Sequence, residues 1–279
     1  MKCQSWRRIQ RCLLLAVAML SAAVRADELT IAVASNFTAP MQEITRQFEK
    51  RSGHKVRLAF GSSGKFFAQI SHGAPYHAFF SADQDKPQRL DKLGQTTKDS
   101  RFTYAEGKLV LWSSEPGVVD AKGTVLNQGA YNKLAIANPK LAPYGAAALE
   151  VLRHLQIEEQ SRTHWILGEN ISQTYQFVAS GNADLGLVAL SQVLKNGEVT
   201  SGSAWIVPTQ LYRPIRQDAV ILKRGTELPA LREFWAFVQS EEARAIIRAY
   251  GYNTPAPAAS NSNNRREAPI HNTGHNHAE

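Results

Sequence analysis

The feature that most constrains the fold of this chain is a repeated alternation of apolar, strand-like segments with amphipathic, helix-like segments, joined by short polar loops. Residues 29–34 and 56–60 predict two strands, and the segment between them predicts a helix that begins near Pro40 and ends at Gly53. Further helices are expected at 66–70 and 87–93, and a further strand at 78–81. Because helical crossovers connect parallel strands, this order predicts an α/β fold with a mainly parallel sheet covered on both faces.

A second run of the same kind follows the apolar segment 109–112. Its strands are expected at 134–137, 165–167 and 185–188, its helices at 146–155 and 175–179, and the chain closes with a strand at 219–222 and a helical region at 228–250. Two such runs predict two lobes. We expect lobe 1 to comprise residues 27–106 and 214–252 and lobe 2 to comprise residues 107–213, with hinges near Tyr104–Lys108 and Tyr212–Arg216.

The first 26 residues have the pattern of an export signal. A basic beginning that includes Lys2 and Arg11 precedes an apolar stretch at 13–20, and Val24-Arg25-Ala26 fits the small-residue rule for cleavage. The apolar stretch is shorter than the ~20 residues that span a bilayer. We therefore expect an exported, periplasmic protein whose signal peptide is cleaved after Ala26.

Removal of this leader changes the charge and the cysteine content of the chain. The leader contains both cysteines of the chain, Cys3 and Cys12. It also contains five of the 32 Lys and Arg residues, but none of the 24 Asp and Glu residues. The mature chain then has no thiol for a disulfide or a metal site, and its net charge is +3 instead of +8. So small an excess of positive charge does not indicate nucleic-acid binding.

The segment 253–279 is polar and rich in Asn and Pro, and it predicts a disordered tail. Its histidines, His271, His275 and His277, suit weak metal binding at most, and the other histidines lack the spacing of metal ligands. We expect no metal site and no cofactor.

Polar side chains stand at the points where predicted strands end and helices begin. The first such loop carries Ser35 and Asn36, and the second carries Ser62 and Ser63. Two further loops, at 143–145 and 170–172, have the corresponding place in lobe 2. Helix N-termini carry unpartnered N–H groups and a partial positive charge, and ligands of open α/β sheets bind beyond the carboxyl ends of the strands. The sequence therefore predicts an oxyanion cradle between the lobes.

Several short motifs, taken in this order, resemble the periplasmic molybdate-binding proteins of ABC transporters, which belong to the two-lobed, type II solute-binding protein superfamily. The motifs are A-S-N-F at 34–37, G-S-S-G-K at 61–65, G-A-P-Y at 73–76, F-F-S-A-D at 79–83, S-R-F-T-Y-A at 100–105, A-P-Y-G at 142–145 and A-D-L-G-L-V-A-L at 183–190. The resemblance covers residues 29–252. It implies a two-lobed periplasmic-binding-protein fold and a monomer, not an enzyme, that captures molybdate or tungstate with neutral donors and delivers it to a membrane permease.

The resemblance also implies which residues hold the anion. Carried over by motif, they are Ser35, Asn36 and Ser63 from lobe 1, and Tyr144 and Ile171 from lobe 2, with Ile171 acting only through its backbone N–H. Ser62 and Lys65 are secondary candidates, and we expect Lys65 to be a solvated cation that assists at a distance.

One departure from the family concerns the tyrosine of lobe 2. Many relatives have a tyrosine that touches the ligand where this chain has Ala189, and they have a small residue where this chain has Tyr144. We therefore hypothesise that the Tyr144 hydroxyl replaces the missing one.

The chemistry of the anions narrows the choice among them. Molybdate and tungstate are fully ionised at neutral pH and only accept hydrogen bonds, so a cavity lined with donors suits them, whereas hydrogen phosphate also needs an acceptor. The nearest acid to the four loops is Glu169, which we expect to point away from the anion. Sulfate is also an aprotic dianion and is the alternative ligand.

An enzymatic alternative comes from the same loop. Ser62-Ser63-Gly64-Lys65 matches the S-x-x-K pattern of penicillin-recognising serine enzymes, in which a serine nucleophile precedes a lysine by one helical turn. The partner strings S-D-N and K-T-G do not occur in the sequence. An exported serine enzyme is therefore the remote alternative.

Overall fold

The computed structural model describes residues 28–255, in which strands and helices alternate. The predicted signal peptide with its cleavage site, and residues 256–279 of the predicted tail, lie outside the described residues. The strands are β1 (Glu28–Ala34), β2 (Lys55–Gly61), β3 (Ala78–Phe80), β4 (Phe102–Gly107), β5 (Leu109–Ser113), β6 (Leu134–Ala137), β7 (Trp165–Gly168), β8 (Leu185–Ala189), β9 (Leu194–Lys195), β10 (Glu198–Val199), β11 (Ser203–Ile206) and β12 (Ile215–Ile221). The helices are α1 (Thr38–Ser52), α2 (Ser63–Ser71), α3 (Asp85–Lys92), α4 (Thr124–Gln128), α5 (Pro143–His154), α6 (Glu158–Ser161), α7 (Ile171–Ala179), α8 (Pro229–Val238) and α9 (Glu241–Ala249).

Two five-stranded sheets form the centres of two lobes. The strand order is β2-β1-β3-β12-β4 in lobe 1 and β11-β5-β8-β6-β7 in lobe 2. The two-lobed α/β fold with mainly parallel sheets that the sequence predicts is confirmed, since four of the five strands of each sheet run in the same direction and one runs against them. In lobe 1, β12 runs antiparallel to β3 and β4, and in lobe 2, β5 runs antiparallel to β8 and β11.

Each sheet is covered on both faces by apolar side chains. In lobe 1, helices α1, α8 and α9 bury residues such as Met41 and Phe234 on one face, and α2 and α3 bury Phe66 and Leu90 on the other. In lobe 2, α5 covers one face, and α7 covers the other with Val178. Burial on both faces explains why central strands such as β6 and β8 are continuous apolar runs in the sequence.

The chain crosses between the lobes at two places. The first lies at Lys108, between the end of β4 and the beginning of β5, and the second lies between β11 and β12. Beyond α9, Asn253 exchanges backbone hydrogen bonds with Glu106 of β4, at 2.8 and 3.0 Å. The prediction that the polar tail begins at Asn253 is therefore wrong for this residue, because the edge of β4 offers it backbone partners.

Several helices begin earlier than their apolar residues indicate. Helix α2 begins at Ser63 instead of residue 66, α5 at Pro143 instead of 146, and α7 at Ile171 instead of 175. Polar, proline or glycine residues interrupt the apolar pattern in these first turns, so apolar periodicity does not detect them. The region predicted as one helix at 228–250 is two helices, because the Ser240 side chain accepts a hydrogen bond from the N–H of Ala243 and starts α9.

Within residues 28–255, no helix combines the length and the hydropathy that crossing a membrane requires.

Candidate functional site

A small cavity lies between the lobes, where the first turns of several helices meet. Its polar lining comes from Ser35, Asn36, Ser62 and Ser63 of lobe 1 and from Tyr144 and Ile171 of lobe 2, and the rest is alanine, glycine and proline. The structure thus brings together the five predicted ligand residues and Ser62. The volume of about 10 Å³ is close to that of a single water-sized sphere, so the cavity as it stands has no room for a sugar or an amino acid.

The first loop of lobe 1 is a tight turn between a strand and a helix. Strand β1 ends at Ala34, and Ser35–Phe37 form a 3₁₀ turn that leads directly into α1. Asn36 is buried in this turn; its Nδ2 donates to Gln217 Oε1 at 2.8 Å and to the Tyr252 hydroxyl at 2.9 Å. Its Oδ1 is buried and has no partner among the described residues. The Asn36 amide is therefore held by lobe 1 while one of its two polar atoms is unused.

The second loop separates the roles of two neighbouring serines. Ser62 caps α2, because its hydroxyl accepts a hydrogen bond from the N–H of Lys65 at 3.3 Å. The hydroxyl of Ser63 accepts from the N–H of Ala82 at 2.9 Å, which leaves its single proton to be donated elsewhere. Ser63, buried against the cavity, is thus a positioned donor, whereas Ser62 has a structural function.

Lobe 2 faces the cavity with the beginnings of two helices. At α7, the Asn170 side chain accepts from the N–H groups of Ser172 and Gln173, at 2.9 and 3.1 Å, and it leaves the N–H of Ile171 for another acceptor. At α5, Pro143 has the first position and no N–H, so the N–H of Tyr144 is the first donor of that helix. Both helix N-termini carry a partial positive charge toward the cavity.

The Tyr144 hydroxyl lies close to Gln217 and Gly107, near the place where the chain crosses between the lobes. It lies 3.3 Å from Gln217 Nε2 of β12, and a Cβ atom added to Gly107 would overlap it. Glycine at position 107 therefore permits the close approach of the Tyr144 side chain to β4. The hypothesis that this hydroxyl binds the anion stays a prediction, and the structure supplies the backbone N–H as a second donor of the same residue.

Charged side chains stand outside the cavity lining. Lys65 and Glu169 form an ion pair between the lobes, with 2.7 Å between Nζ and Oε1, and each side chain is about half exposed. Glu169 is thus directed toward Lys65. The Lys65 ammonium is bonded to this carboxylate and not to a serine hydroxyl, as the S-x-x-K reading would require. The lining contains no Asp, Glu, Lys or Arg side chain.

The lobes are in contact around the cavity. Gly64 N–H donates to the Leu141 carbonyl at 2.9 Å, and the Ser172 hydroxyl donates to the Ser35 carbonyl at 3.1 Å. A Cβ atom at Gly64 would lie 2.8 Å from the Leu141 oxygen, so only glycine fits this approach without displacement. The structure is therefore a closed arrangement in which lobe 2 rests on the first turn of α2.

The hydroxyl groups near the cavity stay protonated at ordinary pH. Burial raises the pKa of Tyr104 and of Tyr144 well above the usual value, and it raises the pKa of Tyr252 to about 12. These tyrosines are therefore neutral hydrogen-bonding groups.

Sequence reasoning missed the residues that hold Asn36 in place. They are Tyr104, Ser191, Gln217 and Tyr252. The available signal was the polar pair Gln217-Asp218 inside the apolar strand β12. Asp218 is fully buried, and it accepts hydrogen bonds from Arg101 and Thr103, both at 2.6 Å. Of this polar pair, only Gln217 therefore supports the site, whereas Asp218 stabilises the fold of lobe 1. Across the part of the chain that the structure covers, no group of His, Cys, Asp and Glu has the arrangement of a metal site.

Comparisons with known proteins identify the family of this chain and several relatives. The family described as bacterial extracellular solute-binding protein matches residues 29–253. The molybdate-binding protein ModA of Azotobacter vinelandii is 52% identical over 238 residues, which cover 85% of this chain and 94% of the relative, and that of Rhodobacter capsulatus is 49% identical over 230 residues, covering 82% and 89%. A solved periplasmic molybdate-binding protein of Azotobacter vinelandii superposes with a TM-score of 0.79 at 42% identity, covering 81% of this chain and 99% of that structure. The sulfate-binding protein SubI of Mycobacterium tuberculosis, 14% identical with a TM-score of 0.64 and covering 83% of this chain and 88% of its own, shares the fold alone.

Proposed function

This chain belongs to the bacterial extracellular solute-binding proteins, and from that premise we propose that it captures molybdate, and also tungstate, in the cavity between its lobes. The observation that carries this proposal is a buried lining of neutral donors without any carboxylate. A fully ionised oxyanion is bound well by such donors, because hydrogen bonds to a charged acceptor are stronger than those between neutral groups. Relatives at about half identity bear the name of molybdate-binding proteins.

Each lobe contributes donors of its own kind. In lobe 1 we assign the Ser63 hydroxyl and N–H, the Asn36 amide and the first loop at Ser35 to the anion. In lobe 2 we assign the backbone N–H groups of Tyr144 and Ile171. The Tyr144 hydroxyl accepts a hydrogen bond from Gln217 Nε2, which leaves its own proton available, so the hydroxyl is a second candidate donor of this residue. Partial charges at the helix N-termini take the place of counter-ions.

We propose that closure of the lobes couples binding to delivery. The crossings at Lys108 and between β11 and β12 would act as the hinge, lobe 1 would receive the anion, and lobe 2 would complete its hydrogen bonds. The closed, monomeric form would then dock on the membrane permease of an ABC transporter. For this function the protein would act in the periplasm, after its signal peptide is cleaved after Ala26. The function requires no cofactor and no catalytic step.

Titration calorimetry with molybdate, tungstate, sulfate and phosphate tests the proposal. We expect tight binding of molybdate and tungstate, weaker binding of sulfate and the weakest binding of phosphate, whose proton meets no carboxylate in the lining. Tighter binding of sulfate than of molybdate would select the alternative ligand. Acylation of Ser62 by a β-lactam, seen as an added mass, would instead support the serine enzyme.

A further inference from the structure

Helices α5 and α7 lie on opposite faces of the lobe 2 sheet, and their first turns meet at its carboxyl edge. Strands β6 and β7 end there together, because Ala137 and Gly168 are partners in the last rung of their parallel pairing. Helix α5 buries its apolar side chains against one face of the sheet, and α7 buries its own against the other. The thickness of the sheet at this rung therefore determines how far apart the two helix N-termini lie.

Gly145 allows α5 to reach this rung with no side chain between them. It ends the A-P-Y-G motif and follows the proposed donor Tyr144 directly. A Cβ atom at Gly145 would lie 2.1 Å from the carbonyl oxygen of Ala137 and 2.7 Å from its carbonyl carbon. Both atoms belong to the backbone of β6, so they cannot turn aside as a flexible side chain would. Any larger residue at this position must displace α5 away from the sheet by about 1 Å.

Gly168 has the corresponding role on the opposite face. A Cβ atom there would lie 2.8 Å from the backbone nitrogen of Thr174 and 2.6 Å from its Oγ1, in the first turn of α7. The N–H and the hydroxyl of Thr174 both donate to the Asn170 carbonyl, at 3.1 and 3.0 Å, so Thr174 cannot move without the rest of this turn. The Gly168 carbonyl accepts from the N–H of Asn138 at 2.7 Å, which joins the ends of β6 and β7.

We propose that Gly145 and Gly168 are positioning residues that set the span between the Tyr144 and Ile171 N–H groups, and with it the size of the oxyanion that lobe 2 accepts. This inference rests on the proposed function. Because no side chain separates either helix from the rung, a larger residue at either glycine can only widen the span. Sulfate is smaller than molybdate, so a wider span should cost sulfate a hydrogen bond first. Neither glycine touches the ligand.

Crystal structures of the mature parent and of Gly145→Ala, each loaded with molybdate, test the positioning role. We expect the distance between the backbone nitrogens of Tyr144 and Ile171 to be about 1 Å greater in the variant, with the Ala137–Gly168 rung unchanged. An unchanged distance would overturn the inference and leave the proposed function standing. If calorimetry shows that the parent itself does not bind molybdate, the proposed function fails, and this inference fails with it.

Competition calorimetry, in which sulfate displaces molybdate, gives a readout that a merely structural role would not move. For Gly145→Ala we expect up to about a fivefold loss of molybdate affinity and a 10- to 100-fold loss of sulfate affinity. Ala146→Gly is the matched control, because it destabilises the same helix without adding an atom between α5 and β6. Its ratio of molybdate to sulfate affinity should equal that of the parent. Equal losses for the two anions in Gly145→Ala would overturn the size-setting role.

Gly168→Ala keeps the inference falsifiable if Gly145→Ala does not fold. Its overlap with the backbone of α7 is smaller, at 2.8 Å, so α7 has to move less than α5 does in the other variant. We expect the ratio of molybdate to sulfate affinity to rise by about two- to fivefold. A ratio equal to that of the parent, in a variant whose thermal unfolding shows that it is folded, would contradict the proposal.

Discussion

The two walls of the cavity differ in the kind of donor that they present. Lobe 1 offers side chains, the Ser63 hydroxyl and the Asn36 amide, which are themselves held by buried hydrogen bonds. Lobe 2 offers the first N–H groups of helices α5 and α7, on residues whose side chains are tyrosine and isoleucine. A side-chain donor depends on residue type and on its supporting network, whereas a backbone donor depends only on where the helix begins. Anion binding should therefore depend directly on residue type at the lobe 1 positions and on the backbone N–H at the lobe 2 positions.

The largest loss of molybdate affinity is expected from a substitution that prevents lobe 2 from closing onto lobe 1. Gly64→Val places side-chain atoms against the Leu141 carbonyl, where even a Cβ atom lies at 2.8 Å, so lobe 2 cannot complete the site. Loss of two hydrogen bonds to a charged ligand weakens binding by more than about 100-fold. Calorimetry with molybdate measures this loss, and Ala68→Val, an exposed position on the same helix, is the matched control. Parent-like affinity in Gly64→Val would show that closure onto α2 is not needed.

Removal of one side-chain donor from lobe 1 should have the next largest effect. Ser63→Ala deletes the hydroxyl whose proton is free for the anion, and we expect about a 10- to 100-fold loss of molybdate affinity. Ser62→Ala is the matched control, because it removes a helix cap and should lower the free energy of unfolding by about 1 kcal/mol with little change in affinity. The reverse pattern, a loss at Ser62 and none at Ser63, would exchange the roles of the two serines.

Removal of a backbone donor from lobe 2 should have a similar or slightly smaller effect. Ile171→Pro deletes the N–H at the first position of α7, where proline is compatible with the helix, and Asn170 before it is already extended. We expect about a tenfold loss of molybdate affinity. Ile171→Val keeps the N–H and should bind like the parent. Equal affinities of the two variants would remove Ile171 from the site.

The same difference between the walls explains how much of the site could be predicted from the sequence. Strands such as β6 are read correctly because they are apolar throughout, and Ser35, Asn36 and Ser63 are visible because polar residues after buried strands stand out. Apolar periodicity predicts the beginnings of α2 and α7 too late in the chain, because helix caps and first turns lack this periodicity.

The support of Asn36 by Gln217 and Tyr252 could not be read from the sequence. These contacts join residues 181 and 216 positions apart, and no local pattern records them. In lobe 2, the places of the loops 143–145 and 170–172 between strands and helices indicate this side of the cavity, and the family motifs single out Tyr144 and Ile171 within them.

A smaller effect is expected at the mouth of the cleft, where the walls meet through the exposed Lys65–Glu169 pair. Exposed ion pairs contribute about 0.2–1 kcal/mol, so Lys65→Met should weaken binding by no more than about fivefold, and less at high salt. A double-mutant cycle with Glu169→Gln, run at low and high salt, isolates the pair. A salt-independent loss of 100-fold would make Lys65 a direct ligand.

The smallest change in molybdate affinity is expected from a change of pH. The lining has no acidic or basic side chain, and burial holds the tyrosine pKa values above the usual range, with that of Tyr252 at about 12. The folded protein thus keeps its hydroxyl protons throughout pH 6–9, and molybdate affinity should change by less than about twofold over this range. A tenfold step inside it would reveal a titrating group at the site.

The position of the anion relative to the two walls is the most direct test of the proposed site. A crystal structure of the molybdate-loaded protein, with anomalous scattering at the molybdenum absorption edge, gives that position without reference to any variant. We predict a single molybdenum peak in the cavity, with anion oxygens within hydrogen-bonding distance of Ser63 and Asn36 on one side and of the Tyr144 and Ile171 N–H groups on the other. A peak outside this cavity, or one with lobe 1 contacts alone in a closed protein, would contradict the two-walled site.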